Sequence, residues 1–189
     1  MKKLIIISIL STFSISVFSQ DQGQIRAFSN AAFGKNQAVN DDGFKTGIGL
    51  NGGLEYFVVD NISINPSVNY YFKTRGNSLI FGQGSKNWWL NSYYLNLDGK
   101  YYFDLGVTDL QTYGLFGFTR LYSKYIVQGT TASPATTKFG ANFGAGAVLM
   151  TSDFWHVMGE FRYSTPSGDI GTPSGGSTII SIGLLYTFD

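Results

Sequence analysis

The chain has 189 residues, with 13 basic and 12 acidic side chains, one His and no Cys. Charged residues make up only 13% of it, against roughly a quarter in soluble domains. There is thus little charge to cover a water-facing surface, and no basic excess for nucleic acid. The lack of Cys excludes disulfides, a thiol nucleophile, Cys-ligated zinc and a lipidated N-terminal Cys, and the length fits one domain.

The first residues read MKKLIIISILSTFSISVFSQ. Lys2 and Lys3 form a basic start, Leu4 to Leu10 an apolar core, and Val17 and Ser19 the −3 and −1 places of a cut before Gln20. This is the anatomy of a cleavable signal peptide over residues 1–19, leaving 20–189 as one extracytoplasmic domain. Ser8, Ser11, Thr12, Ser14 and Ser16 dilute the segment as a retained helix. Without Lys2 and Lys3 the 13 basic residues become 11 against 12 acidic, a net charge of −1. No later segment approaches the roughly 18 apolar residues of a spanning helix. A closed barrel is the other way through a membrane, because closure leaves no unpaired backbone edge in lipid.

Period-two alternation runs from residue 24 to the end, and helical periodicity is not convincing anywhere. The first segment, 24–33, is the weakest. The second, FKTGIGLNGGLEYFVV, puts Thr46, Ile48, Leu50, Leu54, Tyr56 and Val58 in one phase. Lys45, Asn51 and Glu55 share the other with Gly47, Gly49 and Gly53, small neighbours that a narrow interior requires. The third sets Ile62, Ile64, Pro66, Val68, Tyr70 and Phe72 against Ser63, Asn65, Ser67, Asn69, Tyr71 and Lys73. Pro66 cannot donate to a ladder, so a bulge is expected there.

The fourth segment, 90–103, sets Tyr93, Leu95, Leu97, Tyr101 and Phe103 against Tyr94, Asn96, Asp98, Lys100 and Tyr102. The fifth, 110–122, is apolar on both faces; the cost of Arg in lipid turns Arg120 inward. The sixth, 138–149, places Phe139, Ala141, Phe143, Ala145, Ala147 and Leu149 outward. The seventh, 154–164, places Trp155, Val157, Phe161 and Tyr163 outward and His156, Glu160 and Arg162 inward. The eighth sets Ile180, Ile182, Leu184, Tyr186 and Phe188 against Ser181, Gly183 and Thr187.

Connections at 60–61, 104–109 and 150–153 are short, while those at 35–43, 74–88, 123–136 and 165–176 are longer. The strict alternation is that of a transmembrane barrel with short periplasmic turns, long outer loops and both termini periplasmic. The expected fold is all-β: a closed eight-stranded antiparallel transmembrane up-and-down β-barrel. Trp155, Tyr186, Phe188, Tyr56 and Phe103 fall near its periplasmic edge. Trp88, Tyr70, Phe72, Tyr122 and Tyr163 fall near the outer one, giving two aromatic girdles.

The leader, the strand and loop rhythm, the GIGLNGGLEYFV segment and the closing TIISIGLLYTFD resemble the outer-membrane β-barrel family. That family includes the transmembrane domain of the major outer-membrane protein A and its small relatives. The strand composition looks like that of Bacteroidetes-type members. The resemblance implies the outer membrane as location and an aromatic assembly signal in the last strand, here Tyr186 and Phe188, read by the barrel-assembly machinery. Asp189 departs from that pattern by following Phe188. The resemblance is weak on function, since the family holds anchors, adhesins and enzymes.

The inward set is Lys45, Glu55, Lys73, Asp98, Lys100, Arg120, His156, Glu160 and Arg162. Isolated charges in a narrow interior are costly. Glu55, Asp98, Lys100 and Glu160 are therefore the candidates for one interior network with Arg120 or Arg162. That network is a polar plug or, as the alternative, the gate of a narrow pore for small solutes or ions. The three outer stretches GNSLIFGQGSKN, IVQGTTASPAT and TPSGDIGTPSGG are polar and nearly uncharged. They leave open an adhesin or partner-binding role through an extracellular ligand. The soluble alternative, a lipocalin-like barrel, is opposed by the apolar outward rows. Lipid hydrolysis lacks a rim nucleophile, and His156 lies low, so no enzyme is expected. One His without clustered acids makes no metal site. A monomer in outer-membrane lipid, without cofactor or nucleic acid, is the expectation.

Overall fold

The computed structural model describes residues 22–36, 47–78, 86–127, 136–167 and 176–188. The proposed leader, Lys45 and most of each long connection lie outside the described residues. Eight strands follow one another: β1 (Ile25–Asn36), β2 (Gly47–Val59), β3 (Ile62–Ser78), β4 (Lys86–Phe103), β5 (Leu110–Val127), β6 (Thr136–Met150), β7 (Trp155–Ser167) and β8 (Ser177–Thr187). Each pairs antiparallel with the next, and β8 returns to β1, closing the barrel. Among the described residues there is no helix.

Alternation supplies the two surfaces. Ile180, Ile182 and Leu184 of β8 face outward and are more than half exposed, while Ser177, Ser181 and Leu185 are buried inside. The phases read above for β2 up to its bulge, β3, β4, β6, β7 and β8 are those of the structure, with Lys45, Thr46 and the Lys73 side chain outside what is described. In β5, Tyr113, Leu115, Gly117, Thr119 and Leu121 face inward, and Phe116 and Phe118 outward.

One row of cross-strand partners fixes the wall geometry. It runs from Arg26 on β1 through Glu55 and Asn65 to Asp98, Gly117, Asn142, Ser164 and Ser177. It meets β1 again at Asn36, ten residues beyond its start at Arg26. That stagger tilts the strands by roughly 35–45°. It also winds this polar row up the inner wall as a spiral.

Pro66 sits in this wall without the expected bulge. The register of β2 on β3 is the same on both sides of it, with Gly53 opposite Ser67 and Tyr56 opposite Ile64. The bulges lie at Phe57/Val59 and at Tyr71/Thr74. Leu54 faces Pro66 in this register, and its carbonyl accepts from Asn65 Nδ2 at 2.7 Å. A side-chain amide thus supplies the donor that proline lacks.

Outside, the rings group at two levels. Tyr186 packs against Trp155 at 4.9 Å and Phe188 at 5.0 Å beside the short turns. Tyr93 stacks on Tyr122 at 4.8 Å and Tyr70 meets Phe72 at 5.7 Å toward the long connections.

Candidate functional site: an ionic layer inside the barrel

The inward side chains form three layers. At the short-turn end Phe28, Phe57, Tyr102, Tyr113, Leu115, Val148, Met158 and Leu185 make one apolar cluster. At the long-connection end Ala32, Tyr71, Tyr94, Leu121 and Ile179 make a second. Polar residues lie between the clusters in chain order. Examples are Asn30 between Phe28 and Ala32, Asn96, Asp98 and Lys100 between Tyr94 and Tyr102, and Ser181 between Ile179 and Leu185.

The middle layer carries the charges. Arg162 Nη2 lies 2.8 Å from Asp98 and 3.0 Å from Glu160. Lys100 Nζ lies 3.7 Å from Glu55 and 3.9 Å from Glu160. Its ammonium also sits 4.5 Å from the centre of the Tyr113 ring and 5.3 Å from that of Phe28. Side chains around the acids satisfy them further. Tyr102 donates to Glu55 at 2.8 Å, as does Ser63, and Tyr113 donates to Glu160 at 2.9 Å. Asn142 Nδ2 donates to Asp98 at 3.0 Å and to Asn96 at 3.1 Å, and its Oδ1 accepts from Ser164 at 2.6 Å. Buried ions without such partners would be several kcal/mol out of balance.

Two glycines make the layer possible. Gly117 stands opposite Asp98, and a Cβ there would run into the Asp98 side chain and the Leu97 carbonyl. Gly146 stands opposite both Tyr113 and Glu160, and a Cβ there would enter the Tyr113 ring.

Five of the six charges anticipated for the network are brought together: Glu55, Asp98, Lys100, Glu160 and Arg162. The inward placement of Arg120 is corrected. Arg120 is exposed on the outer wall, its guanidinium 5.4 Å from the centre of the Phe139 ring. The cost of Arg in lipid depends on depth and falls to about 0–1 kcal/mol near an interface. Arg120 is ten residues past Leu110, where β5 leaves its short turn, about the length of a full crossing.

The third buried cation among the described residues is Arg26, which the weak pattern of the first segment concealed. It reaches across the mouth at the short-turn end to Gln24 at 3.1 Å and Gln111 at 3.2 Å, over the Phe57 ring at 4.9 Å. His156 lies at this end, its Nε2 3.0 Å from Thr187 Oγ1. Among the described residues no group of three His, Cys, Asp or Glu could hold a metal.

A closed eight-stranded wall, an apolar exterior and a polar interior are features of small outer-membrane barrels. Residues 5–188 match the model of the outer membrane protein beta-barrel domain. The chain belongs to that family.

Solved outer-membrane barrels share its fold. The N-terminal β-barrel domain of Pseudomonas aeruginosa OprF is 16% identical, with 88% of this chain and 100% of that chain covered and a TM-score of 0.58. Neisserial surface protein A is 15% identical over 89% of this chain and 98% of its own, with a TM-score of 0.64. Ail, the attachment invasion locus protein of Yersinia pestis, is 17% identical over 89% and 100%, with a TM-score of 0.55. Identities this low carry the fold alone. No protein of curated function matches the chain.

As in any such barrel, the last strand must meet the first. Phe188 N donates to Ile25 O at 3.0 Å, and Thr187 N to Phe154 O at 2.8 Å. Tyr186 and Phe188, the two residues of the expected assembly signal, point outward with their rings in contact.

Proposed function

We propose that this outer-membrane barrel is a non-conducting, non-catalytic scaffold of the cell outer membrane, closed inside and presenting its long connections at the cell surface. The observation that carries this reading is the layering of the lumen, an ionic layer shut between two apolar clusters. An ion crossing it would have to part both clusters and displace Lys100 or Arg162 from their acids.

The gated-pore reading has one specific support. Lys100 lies at nearly equal distance from Glu55 and Glu160, 3.7 and 3.9 Å, so a small movement exchanges its partner. Such an exchange leaves both apolar clusters in place, which favours the closed scaffold. A surface-binding role through the connections fits the same scaffold. Ail has been solved with the heparin analogue sucrose octasulfate. The nearly uncharged stretches GQGS, QGTTASPA and GTPSG of this chain offer no basic cluster for such a polyanion, so a neutral partner suits them better.

Planar-bilayer conductance of the refolded chain tests the closed lumen, after an unboiled gel has confirmed folding. Silence is expected. Reproducible discrete steps that Glu160→Ala alters would replace the scaffold by a gated pore.

A further inference from the structure

Arg120 and Lys124 are the only charged side chains on outward strand positions among those whose surroundings are described. Both lie on β5, one outward step either side of Tyr122, so the outer face of this strand reads Phe116, Phe118, Arg120, Tyr122, Lys124. The lower two rings are among the most exposed apolar groups of the protein, Phe118 at 67%. Above them the face turns cationic within one step. The change falls where Tyr122 stacks on Tyr93 at 4.8 Å, the level of the outer aromatic girdle.

The guanidinium of Arg120 lies over the Phe139 ring, whose centre is 5.4 Å away. Phe139 is itself 65% exposed and stands directly opposite Arg120 on β6. Cation and ring together form a shelf on the barrel wall. No acid of the described residues pairs with it, and the ion pairs among those residues lie in the lumen. A contact with a ring face uses no N–H donor of the guanidinium, and its five donors in a fork match the oxygens of a phosphate.

We propose that this shelf is a binding site for the phosphate of a lipid headgroup in the outer leaflet. Arg120 makes the forked contact, and Lys124, two positions further out, adds a second charge. Phe116, Phe118 and Phe139 below the headgroup receive its acyl chain. Depth selects a lipid over a soluble anion, because the Arg120 shelf lies at the top of the apolar band, where a tethered phosphate is delivered at the right height. The site depends on outer-membrane placement and is independent of whether the lumen conducts.

The test is native mass spectrometry of the refolded chain released from mixed micelles of phosphatidylcholine and phosphatidylglycerol. The wild type is expected to retain phosphatidylglycerol preferentially. A cation at a membrane surface contributes about fivefold to the binding of an anionic lipid, so Arg120→Met and Lys124→Gln should each lower the preference about fivefold. Arg120→Lys should keep only part of it, as a point charge without the fork. An unchanged preference in Arg120→Met, or in Arg120→Gln should the Met variant not refold, overturns the site. Full displacement by inorganic phosphate at low millimolar concentration would make the ligand a soluble anion and overturn the lipid assignment.

Discussion

Arg162 grips its strand neighbour Glu160 twice, with Nε at 3.1 Å and Nη2 at 3.0 Å from the same carboxylate oxygen. The two are adjacent inward positions of β7, so the pair costs little chain ordering to bring together. Glu160→Gln leaves Arg162 with Asp98 alone and Lys100 with Glu55 alone. Removing one partner of a buried pair costs about 3–5 kcal/mol. Urea unfolding in detergent should show a loss of that size. The double variant Glu160→Gln, Arg162→Met should lose clearly less than the two single losses together. Simple additivity would mean that the pair is not coupled.

Asn142 and Asn69 are both buried inward asparagines. Asn142 uses both ends of its amide, on Asn96, Asp98 and Ser164. Among the described residues neither end of Asn69 has a hydrogen-bond partner. Replacing a satisfied buried group leaves its partners unmet at about 1–3 kcal/mol, while replacing an unsatisfied one removes a penalty. Asn142→Leu should therefore lower the unfolding midpoint markedly. Asn69→Leu should leave it unchanged or raise it, and equal losses in the two variants would contradict the layer described here.

The strand phases were legible because a wall with lipid on one side and polar groups on the other prints a period of two, as in Ile62 to Phe72. The interior charges were legible for the same reason, since Glu55, Asp98, Lys100, Glu160 and Arg162 all fall in the polar phase. β5 was not, because its inner face contributes Tyr113, Leu115 and Leu121 to the apolar clusters and so matches its outer face. Arg120 was misplaced because a single cost for Arg in lipid ignores how far along the strand it lies. The apolar clusters at the ends of the lumen were hidden too: Tyr94 and Tyr102 read as polar-phase residues, and only packing shows that their rings join apolar clusters.

In the proposed closed scaffold the two clusters would be separate barriers. Tyr94→Ala opens the upper one and Phe57→Ala the lower one. Such truncations cost about 3–5 kcal/mol each where the ring is fully buried, so folding must first be confirmed on an unboiled gel. Bilayer recordings of either single variant should remain silent, and the combined variant should give brief openings. Steady current from Tyr94→Ala alone would mean that the lower cluster is no barrier.

The rings of the last strand give a prediction about assembly. Tyr186 touches Phe154, Trp155 and Phe188. Phe188→Ala removes one edge contact of about 0.5–1.5 kcal/mol, too little to unfold the barrel. If Phe188 also serves as the assembly signal, the variant should refold normally in vitro yet reach the outer membrane in much smaller amount in cells. Fractionated cells and a refolding gel run on the same variant separate the two effects. Normal cellular levels would leave the signal to Tyr186 or to another feature.

Every pairing in the wall joins neighbours in sequence except one, β1 with β8. Seven hairpins can form as the chain becomes available, but this seam must wait for both ends. The backbone edge of β8 that bonds to Ile25 and its neighbours is the same edge that any helper protein would grasp by adding a strand. Helper and β1 then compete for one set of N–H and C=O groups. Letting go of the helper and sealing the cylinder become a single exchange, and linking residues 188 and 22 while cutting the chain at 79–85 should move that last step to the pair β3 and β4.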